Sequence, residues 1–293
     1  MSNQNNQLIS VLLTCYNRKE TTKACLKSLF SQQLPTDFRL QVYLVDDGST
    51  DGTSEMVAQY FPDINLIRGS GQLFWNGGMR LAWNHAAKEN PDFFLWLNDD
   101  VVLETGALQE VIDCYQQGKD KCKISCLIIG SCSSTYNEKK LTYGGSTDEG
   151  SITPNGELQN CLYINGNIVL VPKEVYQVLG NLSSDYTHGI GDTDYGLRAI
   201  QAGFDCYISR KFVGTCEIND RSLEWYSPTL KLKDRWRLFH SPKGLNIKEY
   251  NLFRKKFWGW KWITFAFKAY FKLLTPRLYH NLSVYFTNTT TLL

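Results

Sequence analysis

Short apolar runs alternate with amphipathic stretches through the first 130 residues. Ile9–Leu13, Gln41–Val45, Ile64–Ile67, Phe93–Leu97 and Ser125–Ile129 read as strands. Between the first four, Thr22–Ser31, Gly52–Phe61 and Gly77–Lys88 carry apolar residues at helical spacing, as does Gly106–Gln116 before the fifth. This alternation predicts an α/β fold with a mostly parallel sheet and helices on both faces. In such sheets ligands bind outside the carboxyl ends of the strands.

Those strand ends are polar. The first leads into Thr14-Cys15-Tyr16-Asn17-Arg18, and the second into Asp46-Asp47-Gly48-Ser49-Thr50-Asp51-Gly52. The third is followed by Gly69-Ser70-Gly71 and then Trp75-Asn76-Gly77-Gly78-Met79-Arg80; the fourth ends in Asn98-Asp99-Asp100. Residues 131–230 are less regular, with Asn165-Gly166-Asn167 and Gly189-Ile190-Gly191-Asp192-Thr193-Asp194 as their polar landmarks. No repeat or low-complexity linker intervenes, so residues 1–230 read as one domain and 231–293 as a helical, basic and aromatic extension.

At 43% hydrophobic and 13% aromatic, the 293 residues can bury a substantial core, which excludes a disordered chain. A net charge of +2 does not suggest a nucleic-acid binder, but it hides an asymmetry. Residues 231–280 carry +11 and the rest −9, so the tail should meet something anionic. On one helical wheel over 250–275, Phe253, Phe257, Trp260, Phe267, Phe271 and Leu274 share a face, with Arg254, Lys261, Lys268 and Lys272 beside it. That pattern predicts docking on an anionic membrane surface; a helix packed on the domain with a solvated basic stripe is the alternative.

Nine cysteines with no CxxC pair form no disulfide framework, and Cys114, Cys122, Cys126 and Cys132 lack a local His to complete a metal site. They read as reduced, buried thiols. The start MSNQNNQLIS lacks a secretory pattern, and no run of about 20 apolar residues is present. The expectation is a cytoplasmic protein, peripheral on the inner face of the cell membrane.

The strand-end residues divide by chemistry. A carboxylate in the Asp46-Asp47 turn can accept hydrogen bonds from a nucleotide's base or ribose, or merely end a strand, with Asp51 as the N-cap of the next helix. Adjacent Asp99 and Asp100 repel unless solvent or a cation screens them, and Mg²⁺ favours one or two carboxylates plus substrate phosphates. Gly77-Gly78 is expected to open a helix and let the backbone approach a diphosphate, with Arg80 available to neutralise it. Asp194 and Arg198 stand four apart and pair if helical. Asp192, after a flexible glycine segment, is the candidate general base.

Taken together, Thr14–Arg18, Asp46–Asp51, Asn98-Asp99-Asp100 and Gly191–Arg198 resemble the family 2 glycosyltransferases, inverting enzymes with a Rossmann-like GT-A fold. The resemblance runs from about residue 8 to 220. It implies a nucleotide-sugar donor, a divalent metal (Mg²⁺ or Mn²⁺) and a glycan or lipid-linked acceptor. By the match, Asp47 and Asn17 contact the nucleoside, with Thr14, Tyr16, Arg18 and Asp46 nearby. Asn98 and Asp99 complete the donor side, Asp100 is the direct metal ligand and Asp192 the catalytic base. Trp75, Asn167 and His188 are candidates for the acceptor. Two positions depart from the family: Asn98 stands for the first Asp of the metal motif, and Gly191 for the Glu preceding the base. The late metal-binding His of many relatives falls in the region of Cys216-Glu217. The stretch Leu73–Ala82 resembles members that build rhamnose-containing bacterial surface polysaccharides.

Two other classes stay in view. A sugar nucleotidyltransferase would need a glycine-rich basic loop directly after the first strand, where Thr14–Arg18 has no glycine. A non-enzymatic carbohydrate- or nucleotide-sugar-binding relative would be favoured by loss of Asp192 or Asp100, and both are present.

Overall fold

Gln7–Cys15 (β1) is buried on both faces, with Ile9, Val11 and Leu13 turned to one apolar cluster and Leu12 to the other. Two-sided burial gives the near-continuous apolar run of a central parallel strand. The structure, a computed structural model, describes residues 6–122, 124–135, 139–218 and 225–279. They fall in two compact units, Met1–Ile218 and Asn219–Leu293. The composition-based boundary at 230 lies inside the second unit.

In the first unit β1 is followed by α1 (Lys19–Phe30), β2 (Phe38–Asp46), α2 (Thr53–Tyr60), β3 (Asn65–Arg68), α3 (Phe74–Ala86) and β4 (Phe93–Leu97). Next come β5 (Val102–Leu103), α4 (Ala107–Cys122), β6 (Cys126–Ser133) and four short strands: β7 (Leu141–Tyr143), β8 (Ser146–Thr147), β9 (Gly150–Ser151) and β10 (Gln159–Asn160). β11 (Ile168–Pro172), α5 (Lys173–Leu179), α6 (Gly191–Gln201) and β12 (Asp205–Thr215) complete it. The sheet order is β10-β12-β6-β11-β4-β1-β2-β3. β3, β2, β1 and β4 run parallel, as the alternation predicts, whereas β11 is antiparallel to both β4 and β6.

Helices cover both faces. Cys25, Leu26 and Leu29 of α1, Met56 and Val57 of α2 and Val111 of α4 pack on one side; Met79, Ala82 and Trp83 of α3 and Tyr195 and Ala199 of α6 pack on the other. Fully buried Trp83 stacks on Tyr176 and meets Phe94, Trp96 and Tyr195. Burial of one such aromatic is worth about 2–3 kcal/mol, so this cluster anchors α3 and α6, which carry the site residues, to the sheet.

In the second unit, α7 (Leu232–Phe239), α8 (Ile247–Trp258) and α9 (Trp262–Leu274) enclose Phe239, Ile247, Ala269 and Leu273. The single helix expected over 250–275 is therefore two. Gly259, at φ +54°, takes a backbone conformation that side chains disfavour, and a short 3₁₀ turn over Gly259–Lys261 separates α8 from α9. The wheel face breaks with it: Phe253 is buried against Phe257 and Trp258, while Trp260 and Phe267 are exposed. No helix among the described residues is long and apolar enough to cross a membrane.

Candidate active site

The polar ends of β1, β2 and β4 lie side by side, because β1 pairs in parallel with both others. Asn17, at φ +50°, cross-links the first two loops: its N–H donates to Ser49 Oγ at 2.8 Å and its Oδ1 accepts from Thr50 N at 2.7 Å. Asp46 accepts from Ser49 N at 2.9 Å and from the Ser54 hydroxyl. Asp51 takes the backbone N–H groups of Lys19 and Thr53, but the N-cap of α2 is Gly52, in the left-handed conformation. Tyr16 is half exposed at the end of β1.

Asp47 is buried, and it accepts from three backbone N–H groups: Gly71 at 2.7 Å, Leu73 at 2.8 Å and Phe74 at 3.0 Å. The carboxylate thus shapes the loop after β3. A β-carbon on Gly69 would lie 2.6 Å from Asp47 Oδ1, so glycine is required there.

Gly77 and Gly78 do not open α3, which begins at Phe74 and holds both inside its first turns. A β-carbon on Gly78 would stand 2.1 Å from Thr14 Oγ1, so this glycine serves the close approach of α3 to β1. Arg80 Nε donates to the Leu182 carbonyl at 3.0 Å, which ties α3 to the loop after α5.

At the end of β4 the two carboxylates share one cation. Arg18 Nη1 lies 3.1 Å from Asp99 Oδ1 and 2.9 Å from Asp100 Oδ2. Asp99 is buried and also accepts from Thr22 Oγ1 at 3.2 Å. Burial raises its carboxyl to about 6; Arg18 pulls it back and the neighbouring Asp100 adds to the rise. Asp100 Oδ1 faces Cys216 Sγ at 3.6 Å. The Cys216 thiol is held protonated, raised by burial and by Asp100.

Asn98 links this pair to the rest of the site. Its Oδ1 accepts from Trp75 Nε1 at 2.7 Å and its Nδ2 donates to Asn167 Oδ1. An amide can accept and donate at once in this way, whereas an ionised carboxylate can only accept, so Asn suits this position. Asn167 Nδ2 in turn reaches Cys216 Sγ at 3.6 Å. His188 Nδ1 accepts from Trp75 N at 3.4 Å.

Asp192 stands in the first turn of α6. Its Oδ2 accepts from Gly166 N at 2.8 Å and its Oδ1 from Thr193 N at 2.7 Å. Burial raises its carboxyl above the ordinary aspartate range, against the opposing pull of those N–H groups. Ile190, just before it, carries a left-handed φ of +59°, a strained state for a β-branched residue. Asp194 is fully buried, pairs with Arg198 Nε at 2.7 Å and accepts from Tyr186 OH, as its spacing from Arg198 predicts.

No group of three His, Cys, Asp or Glu side chains that could cage a metal occurs among the described residues. The donor set fits a different kind of ion. Asp100 offers one hard carboxylate, held by a guanidinium whose side chain is 42% exposed. Mg²⁺ and Mn²⁺ need no more protein than this when phosphate oxygens and waters complete the shell.

The sequence profile of Glycosyl transferase family 2 matches residues 10–180, more than half of the chain. The chain belongs to that family. Among curated relatives, a poly-beta-1,6-N-acetyl-D-glucosamine synthase of Staphylococcus epidermidis is 27% identical over 116 residues, 37% of this chain and 26% of that enzyme. The chain thus spans about a quarter of that relative's length. Among solved structures, S. aureus TarS 1–349 in complex with UDP-GlcNAc superposes with a TM-score of 0.55 at 15% identity, covering 82% of this chain and 66% of that one. A mannosyltransferase from Pyrobaculum calidifontis in complex with GDP-Man and Mn2+ reaches 0.50 at 18% identity, covering 73% of this chain and 57% of the other. These likenesses establish the fold, which is GT-A.

Sequence reasoning missed several participants. Thr22 lies within the expected helix Thr22–Ser31 as a polar residue on a buried face, a mismatch that could have found it. Asn76 falls just ahead of the expected helix Gly77–Lys88, and its burial follows from α3 starting earlier, at Phe74. The pairing of Arg18 with both carboxylates had no signal, since the residues are 81 and 82 positions apart.

Proposed function

We propose that this glycosyltransferase moves a sugar from a nucleotide-diphosphate sugar to a hydroxyl of a glycan or lipid-linked acceptor, with inversion, in bacterial surface polysaccharide synthesis. One observation carries the reading. Asp192 is hydrogen-bonded to Gly166, and the next residue, Asn167, is hydrogen-bonded to Asn98 at the acidic end of β4. A candidate base and a candidate cation-binding carboxylate therefore belong to one network at the mouth of a GT-A sheet. The solved relatives that bind UDP-GlcNAc, or GDP-Man with Mn2+, support this choice of donor class.

The chain's own residues divide the work. Asp192 accepts the proton of the acceptor hydroxyl as that oxygen attacks the anomeric carbon. One displacement inverts that carbon and needs no protein nucleophile. Asp47 holds the loop 69–74 against the nucleoside. Asn17 sets the shape of the first two strand-end loops. Trp75, fixed by Asn98 and packed edge-on against Trp96, walls the sugar side. A divalent ion at Asp100, when bound, supplies charge for the departing diphosphate. A panel of nucleotide sugars assayed with Mn²⁺ and with EDTA, with product anomers read by NMR, tests the reading. Metal-dependent formation of the inverted product is expected; donor binding without turnover on any acceptor would favour a sugar-binding protein.

We also propose that α8 and α9 dock on an anionic membrane surface where a lipid-linked acceptor resides. Exposed Trp260, Ile263, Phe265 and Phe267 lie among Lys255, Lys256, Lys261 and Lys268, all exposed. Aromatic and basic residues of this kind favour the headgroup level of an anionic leaflet.

A further inference from the structure

Arg18 occupies the place a cation needs. One nitrogen, Nη1, bridges Asp99 Oδ1 at 3.1 Å and Asp100 Oδ2 at 2.9 Å, so the guanidinium sits between the carboxylates and not beside one of them. Two adjacent aspartates at a strand end repel, and Arg18 relieves that repulsion when no other cation is present. A guanidinium stays charged at any working pH. An ion approaching Asp100 Oδ2 therefore meets an oxygen already in use and a positive charge within contact distance of it.

The same side chain is built to leave. Arg18 precedes α1 in the loop after β1, and its side chain is 42% exposed whereas those of Asp99 and Asp100 are 7% and 16% exposed. Its planar fork matches phosphate oxygens as well as carboxylates. After release, Asp99 keeps its contact with Thr22 Oγ1 and Asp100 its contact with Cys216, so the carboxylates retain partners.

We infer that Arg18 is an internal competitor for the divalent ion, which the diphosphate of the donor draws off, so that metal and nucleotide enter together and neither binds well alone. This rests on the metal reading above. A diphosphate supplies what each displaced group needs: oxyanions for Arg18 and hard oxygen ligands for the ion on Asp100. Coupling between two ligands is reciprocal and commonly amounts to 5–150-fold in affinity.

The test is Mn²⁺ binding to the full chain, followed by the electron paramagnetic resonance signal of free Mn²⁺, without nucleotide and with UDP or GDP as probes. Wild type, Arg18→Gln and Arg18→Lys are compared, with Asp100→Asn marking the site and thermal unfolding confirming that each variant folds. Wild type should bind Mn²⁺ weakly alone and at least tenfold more tightly with nucleotide. Arg18→Gln should bind Mn²⁺ alone about tenfold more tightly than wild type and lose most of the nucleotide effect; Arg18→Lys should fall between. Equal Mn²⁺ affinity of wild type and Arg18→Gln without nucleotide, with the coupling unchanged, overturns the inference and leaves the metal reading standing. No Mn²⁺ binding to wild type even with either nucleotide overturns both.

Discussion

The Oδ1 atom of Asn76 stands 2.0 Å from where a β-carbon on Gly191 would be, so the two residues exclude each other's growth. Asn76 is fully buried, and its Nδ2 donates to the carbonyls of Ser183 at 2.8 Å and Tyr186 at 2.6 Å. The amide thereby bolts the segment before α6 to the start of α3, in the space that any side chain at 191 would need. The glycine at 191 is thus matched by a buried amide from another helix, and together they set the start of α6, where Asp192 stands.

Gly191→Ala should therefore destabilise by about 1–3 kcal/mol through overpacking. Asn76→Ala should cost a similar amount by leaving two buried carbonyls unmet. Because the clash disappears once Asn76 is truncated, the double variant should lose clearly less than the sum of the singles. Denaturant unfolding of the four proteins measures this, and strict additivity would separate the two positions.

Gly78→Ala should move α3 away from β1, because the added carbon meets Thr14 Oγ1 at 2.1 Å and Thr14 Cβ at 2.7 Å. A loss of about 1–3 kcal/mol lowers the melting temperature by several degrees in a domain of this size. An unchanged melting temperature would return Gly78 to the phosphate-approach role that its sequence context suggests.

Asp47→Ala frees three backbone N–H groups of the loop 69–74 at once. Amide hydrogen exchange at Gly71, Leu73 and Phe74 should accelerate, and donor affinity should fall at least about tenfold, since a hydrogen bond to a charged group contributes roughly 1.5–3 kcal/mol. Normal exchange in this loop with weakened donor binding would instead mark Asp47 as a direct nucleotide contact.

Much of this was legible in the chain and some was not. The four parallel strands and their helices follow from periodicity: two-sided burial leaves continuous apolar runs in the central strands, such as Phe93–Leu97, and the partly exposed edge strand β3 keeps a short one. β11 escaped it: Ile168–Pro172 carries a similar run, but its antiparallel insertion between β4 and β6 depends on long-range pairing that no local pattern encodes. The acidic residues stand out as motifs, and the local pair Asp194–Arg198 follows from its spacing, whereas the distant partners of Asp47, Asp99, Asp100 and Asp192 do not. Gly78 looked like a phosphate-binding glycine because small residues answer equally to a ligand and to a neighbouring strand. The α8–α9 break was signalled by Gly259, which one helical wheel smoothed over.

Burial lifts the Asp192 carboxyl above the ordinary aspartate range of about 3.9. A base must be ionised to accept a proton, so activity falls as pH drops through that raised value. The acid limb of kcat/KM should therefore lie above the range of an ordinary aspartate, with a slope of one decade per pH unit. A flat profile down to pH 4 would mean that Asp192 is not the titrating base.

Asp192→Asn, assayed for transfer from the donor found in the nucleotide-sugar panel, tests the account most directly. The substitution keeps the shape of the side chain and removes its ability to take a proton. Transfer should drop by about 10²–10⁴-fold while donor affinity stays within a few-fold of wild type. Turnover at the wild-type rate would contradict the account and remove Asp192 from the mechanism.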